Sequence, residues 1–116
     1  MKIRTRGILL VAIASFLAGC TMTEGEFNTG RQAIAGSPAV RKVTISDCVG
    51  RVRQQPAAEQ KQTAALFNIS LSRYPSTYCN RLINAYASGR ITYKDYVALG
   101  SSTADNSKVI RIMQGR

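Results

Sequence analysis

The chain predicts an all-α protein: a small bundle of about four short helices with antiparallel neighbours and short connections. Two observations carry this. Apolar residues recur at i, i+3, i+4, i+7 at Ile45, Cys48, Val49 and Val52, and again at Cys79, Leu82, Ile83 and Tyr86. Each series is one stripe of a helix. Around them stand the breakers Gln54-Gln55-Pro56, Arg73-Tyr74-Pro75, Gly89 and Gly100, at intervals that suit short helices.

Ahead of the bundle lies a different kind of segment. Lys2, Arg4 and Arg6 precede Ile8–Phe16, an apolar run of nine residues. A membrane-spanning helix needs roughly 20 apolar residues, so this run has instead the layout of a secretory signal. It closes on Leu17-Ala18-Gly19-Cys20. The stretch resembles the lipobox of bacterial lipoprotein precursors, which is Leu, two small residues and Cys. The resemblance covers residues 1–20 only. It implies a diacylglyceryl group on the Cys20 thiol, cleavage between Gly19 and Cys20, and often acylation of the new amino group. Each buried methylene contributes about 0.8 kcal/mol, so one acyl chain binds reversibly and two or three hold stably. The alternative is an ordinary signal peptide or an uncleaved anchor, but no well-placed small-x-small site competes. Thr21, rather than the Asp associated with inner-membrane retention in enteric lipoproteins, favours the outer membrane, with the protein facing the periplasm. Residues 1–19 are then a cleaved signal peptide, and the covalent lipid on Cys20 is the one non-protein group expected.

With Cys20 lipidated, Cys48 and Cys79 remain as an even pair in an oxidising compartment. A bridge between them, 31 residues apart, staples the first helix to the third. In the chain-entropy model such a loop is worth roughly 3–4 kcal/mol. Two buried free thiols are the alternative.

Residues 20–40 read as a lipidated flexible tether, with Gly25, Gly30, Gly36 and Pro38 and no sustained period. As a coil the tether would span roughly 25 Å. The folded domain is then 41–116, near the size where a core alone is marginal. Its first helix starts at Ser46 as N-cap, with Ile45 as a staple, although Gly50 weakens it and a strand over 40–49 is the alternative. Pro56 suits the first turn of a second helix that runs from Ala57 to about Ser72. Pro75 or Ser76 opens the third, and Gly89 stops it at C′. Thr92 and Asp95 have capping-box spacing before a fourth short helix, whose inner face is Tyr93, Tyr96 and Val97. Val109–Met113 is a last apolar segment, helix or strand, either core or a waiting binding site.

Composition argues against an enzyme. The chain has no histidine, hence no imidazole base and no ordinary zinc site. The carboxylates Asp47, Glu59, Asp95 and Asp105 fall in no paired acid–base run, and Asp47 and Asp95 suit helix starts. No Walker loop, G-x-S-x-G, S-x-x-K or C-x-x-C occurs.

What remains is surface. The 16 Lys and Arg face 6 Asp and Glu; without Lys2, Arg4 and Arg6 the count is 13 against 6, a formal +7. All five tyrosines lie between Tyr74 and Tyr96, interleaved with Arg73, Arg81, Arg90 and Lys94. Arg and Tyr are what binding surfaces favour, so Arg73, Tyr74, Arg81, Arg90, Tyr93 and Lys94 are the candidate binding surface. The plainer alternative is that Tyr86, Tyr93 and Tyr96 rim a small core with wet hydroxyls and that the arginines are a solvated face. Two functions follow. One is a non-enzymatic accessory lipoprotein that docks on an envelope protein. The other is a binder of lipopolysaccharide or anionic lipid through the basic Tyr/Arg surface. Basic-plus-aromatic composition also fits single-stranded nucleic acid, which the compartment disfavours.

Overall fold

The computed structural model describes residues 21–116. Cys20 and the lipobox lie outside the described residues. Six α-helices and one 3₁₀ turn make up the described chain, with no strand among them. They are α1 (Glu24–Gly36), α2 (Pro38–Arg53), α3 (Ala57–Leu66), the 3₁₀ turn Leu71–Arg73, α4 (Tyr74–Ala87), α5 (Tyr93–Ala98) and α6 (Ser107–Met113).

The all-α class and the staple hold, but the bundle begins earlier than its stripes indicate. The expected tether over 20–40 is mostly α1. Thr23 opens that helix with a reciprocal capping box: its Oγ1 accepts the Glu26 N–H at 3.2 Å, and Glu26 Oε1 accepts the Thr23 N–H at 3.4 Å. Glu24 and Glu26 sit in the first turn, where carboxylates suit the helix dipole. Phe27 and Ile34 are buried. A single residue, Ser37, separates α1 from α2. Its Oγ accepts the Val40 N–H at 3.2 Å, and Pro38 fills the first turn. The first stripe helix therefore starts at Pro38, not at Ser46, and the strand alternative for 40–49 falls.

Helix α2 runs antiparallel to α4, and the pairing can be followed residue by residue. Arg41 Nη1 donates to Asn84 Oδ1 at 3.3 Å. Ile45 packs on Ile83. Cys48 and Cys79 are disulfide-bonded, with Cα atoms 5.8 Å apart. Val52 meets Tyr74 in the core. Cys79 and Tyr74 are fully buried. The other elements seat themselves on this pair. Ile34 of α1 lies against Ile83 and Ala87. Ala64 of α3 lies against Tyr74 and Cys79. Ile112 of α6 joins Ala85 and Ile91. Val109, Ile112 and Met113 are all buried, so the last apolar segment is a helix and belongs to the core.

Three helices close in the same way. Asn68 (φ 55°), Gly89 (φ 81°) and Gly115 (φ 84°) are left-handed. After each, the next amide reaches back to a carbonyl of the last turn: Ile69 to Ala64 at 2.9 Å, Arg90 to Ala85 at 3.0 Å and Arg116 to Arg111 at 2.9 Å. This is the Schellman pattern. Asn68 explains why α3 ends at Leu66 rather than near Ser72. Val97, expected to face inward, is 50% exposed.

Replacing Cys48 and Cys79 together by Ala is expected to lower the melting temperature by roughly 15–30 °C, from a loss of about 3–4 kcal/mol in a domain of this size. Calorimetry of the oxidised, reduced and double-Ala forms checks this. A shift of only a few degrees would show that helix packing alone, without the bridge, fixes α2 on α4.

Candidate functional site

The structure divides the tyrosines between two ends of α4. At its N-terminal end Tyr74 is fully buried, with its hydroxyl 3.1 Å from Gln55 Oε1. Tyr78 lies beside it, ring centroids 5.4 Å apart, and Phe67 stacks on Tyr78 at 5.9 Å. Tyr74 is therefore a core residue and not part of a binding surface. Position 74 meets α2 where the antiparallel pair closes, and a ring there fills space that a surface residue could not.

At the other end of α4, Phe27 is enclosed by Tyr86, Tyr93 and Tyr96 at centroid distances of 4.8, 5.6 and 5.6 Å. The hydroxyls there are not simply wet. Tyr86 donates to the Phe27 carbonyl at 2.6 Å. Tyr93 donates to the Met22 carbonyl at 3.0 Å, and Tyr96 Oη accepts the Met22 N–H at 3.0 Å. Helix α5 thus grips both backbone groups of Met22, two residues after Cys20. Burial pushes the Tyr86 phenol above its usual value, against the pull of the nearby Arg31 charge. Gly30 makes room for it: a Cβ there would lie 2.6 Å from Tyr86 Oη.

The capping box of α5 aims the clamp. Asp95 Oδ2 accepts the Thr92 N–H at 2.9 Å, Thr92 Oγ1 accepts the Asp95 N–H at 3.1 Å, and Lys108 Nζ of α6 pairs with Asp95 Oδ2 at 2.6 Å. Slight burial raises the Asp95 carboxyl. Lys108 and the Thr92 donors outweigh it and hold the group below its usual range.

Of the remaining members of the expected surface, Arg73 and Arg81 border one cleft and Arg81 and Arg90 another. Arg73 and Lys94 are exposed on the 3₁₀ turn and on α5. Arg81 Nη1 donates to the Met113 carbonyl at 2.9 Å, and Arg90 Nη2 to an oxygen of Arg116 at 2.9 Å. Arg81 therefore holds the C-terminal end of α6, where cations suit the helix dipole, and Arg90 holds the residues that follow it. Both arginines also line a groove of ≈ 440 Å³ between α2, α4 and the end of α6, together with Arg41, Asn80, Asn84 and Ser88. Sequence reasoning passed over Arg41, which lies in helical register with the stripe residue Ile45, four positions on. Arg41 Nε is buried without a hydrogen-bond partner. Among the described residues no group of three or more Cys, Asp or Glu could hold a metal ion, and no helix is long and apolar enough to cross a membrane. Comparison of the chain with known protein families, curated proteins and solved structures finds no match.

Two predictions follow from the clamp. Gly30→Ala should destabilise by about 1–3 kcal/mol through displacement of the Tyr86 hydroxyl, which outweighs the gain of up to about 1 kcal/mol in helix propensity. In a Tyr86→Phe background the same change should become neutral or stabilising. Urea unfolding of the four-member cycle measures the sign, and destabilisation persisting in the Phe background would remove the steric explanation. For Asp95, the folded carboxyl is depressed, so its stabilisation is complete above the unfolded value of about pH 4 and is lost as pH falls through the lower folded value. The protection of the Met22 amide, measured against its intrinsic exchange rate, should therefore fall in that acid window in the native chain. In Asp95→Asn the protection should be lower above that window, converge with the native chain below it, and lack that step.

Proposed function

We propose that the chain is a lipid-anchored accessory protein of the cell envelope, non-enzymatic, that presents a fixed face to a protein partner. The anchor is Cys20, and Thr21 at the next position favours the outer membrane with the domain in the periplasm. The observation that carries the reading is the clamp on Met22. A domain reached through a flexible tether would roam over tens of ångströms. Here the folded part begins at once after the lipid attachment site, and Tyr93 and Tyr96 hold its first residues. That arrangement suits a module kept close to the bilayer in a set orientation.

The surface offered is the side of α2 opposite the disulfide. Helix α2 turns Ile45, Cys48, Val49 and Val52 inward, yet it also carries Val40 and Val43, which are 41% and 60% exposed. Ala39 and Gly50 are exposed on the same side. Exposed valines at i, i+3 on a helix that has already filled its core stripe are surplus to folding, and together they make a low contact face bordered by the exposed Asp47, four residues on from Val43. The disulfide supports an oxidising compartment.

Site-specific photocrosslinking from position 43 in native membranes tests the reading. One discrete protein adduct is expected, and it should be lost with Val40→Glu and with Cys20→Ala. The Cys20→Ala chain should also leave the membrane fraction. Retention of that form in the membrane would defeat the anchor. Absence of any adduct from a membrane-held chain would defeat the partner face instead.

A further inference from the structure

The geometry points to a second site, a phosphate-binding groove formed by Arg41, Arg81 and Arg90 between α2, α4 and the end of α6. It does not depend on the lipid anchor or on the α2 contact face.

The charge in this groove is only partly offset: Arg90 Nη2 donates to an oxygen of Arg116, the last residue of the sequence, at 2.9 Å. Among the described residues the recorded ion pair is Lys108–Asp95, and it belongs to α5 and α6. No Asp or Glu lines the groove. A neighbouring concavity shares Arg41 and Asn80, adds Lys42, and also lacks an acid. Three arginines thus line one cleft that no Asp or Glu borders, and counting the Arg116 oxygen as a carboxylate still leaves two positive charges over. Proximity of like charges is unfavourable without a counter-charge, and the fold keeps them there.

Donors are also left over. A guanidinium carries five N–H groups. Arg81 gives a hydrogen bond to the Met113 carbonyl, Arg90 to an oxygen of Arg116, and Arg41 to Asn84. Those bonds fix the side chains rather than exhaust them. Arg41 Nε has no acceptor at all, a cost that an incoming oxyanion relieves when the side chain turns toward it. Arg81 and Arg90 are anchored before any ligand arrives, and Arg41 is the head that reorients onto it.

The stoichiometry of charge selects the ligand. One carboxylate offsets one arginine. A phosphomonoester or pyrophosphate carries close to two negative charges at neutral pH and accepts guanidinium forks in two-point fashion. A groove of ≈ 440 Å³ exceeds a bare phosphate and lies in the range of small-molecule sites. The ligand class is therefore a phosphate group on a small polar body, either free in solution or as the headgroup of a lipid.

The test uses the full-length chain in nonionic-detergent micelles and follows the arginine Nε–Hε resonances by NMR. The probes are inorganic pyrophosphate and micelles doped with phosphatidic acid. Saturable shifts at Arg41, Arg81 and Arg90 are expected with at least one probe. Response to pyrophosphate alone assigns a soluble phosphate compound, and response to phosphatidic acid alone assigns a lipid headgroup. Arg41→Gln with Arg90→Gln should weaken binding at least tenfold, whereas Arg51→Gln with Arg53→Gln, at the far end of α2, should leave it unchanged. Arg81 is left in place because it holds the Met113 carbonyl. Should the double variant prove unfolded by thermal melting, Arg90→Gln alone and the wild-type shift pattern decide. Equal weakening in the Arg51/Arg53 control, or saturation without movement of the three groove resonances, overturns the proposal in favour of diffuse charge attraction.

Discussion

The covalent link between α2 and α4 is the constraint on which the rest of the molecule depends. It lies midway along an antiparallel pair whose contacts run in register from Arg41–Asn84 to Val52–Tyr74. Helix α4 then supplies a residue to each core cluster: Tyr74 and Cys79 to one, Ile83 and Ala87 to the second, Ala85 to the third. A domain this small buries too little apolar surface for wide safety margins. Fixing one helix pair covalently lowers the entropy of the unfolded chain and leaves the short helices α3, α5 and α6 with a preformed surface to dock on. None of those three, at 6 to 10 residues, is long enough to persist alone.

The tyrosines show how a fold with few large apolar residues compensates. Four of the five give a ring to a small cluster and a hydroxyl to a neighbouring polar group: Gln55 for Tyr74, the Phe27 carbonyl for Tyr86, and the Met22 backbone for Tyr93 and Tyr96. Three of these bonds close over long stretches of chain and tie the N-terminal segment to α4 and α5. Phe27 is the shared centre. Gly30, poor for an isolated helix, is the condition for the Tyr86 approach, so the local loss in α1 is exchanged for a tertiary contact.

The bundle was legible wherever a stripe was long or a stop was sharp. The 45–52 and 79–86 series, Pro56, Gly89 and the Thr92–Asp95 box all act in the structure as their chemistry suggests. What escaped was α1, where Gly25, Gly30 and Gly36 gave the composition of a tether. Its true signals are local: the Thr23–Glu26 box at one end and Ser37-Pro38 at the other. A stripe of only Phe27 and Ile34 is too sparse for periodicity to catch. The left-handed Asn68 that shortens α3 has no pattern beyond residue type. The candidate surface was legible only in part. Arg-Tyr interleaving in sequence says nothing of which side a helix turns, and Tyr74 is turned into the core, whereas Arg41, far away in the chain, is brought beside Arg81 and Arg90 only by the helix pairing.

That displacement changes what the net positive charge means. A formal charge of this size describes attraction to any anionic surface and cannot single out a site. In the folded chain the cations have distinct uses. Lys108 is neutralised by Asp95, Arg81 closes the end of α6 through the Met113 carbonyl, and Arg90 holds the final residue, Arg116. Arg51 and Arg53 stand in the last turn of α2, where the dipole favours them. Specific anion recognition needs the further condition that guanidiniums share a concave surface from which carboxylates are absent. The proposed site draws on this: the disulfide-fixed register of α2 on α4 sets Arg41 opposite Asn84, one helical turn from Arg81, in a groove that no Asp or Glu borders. The same register that stabilises the fold therefore determines where its charge is concentrated.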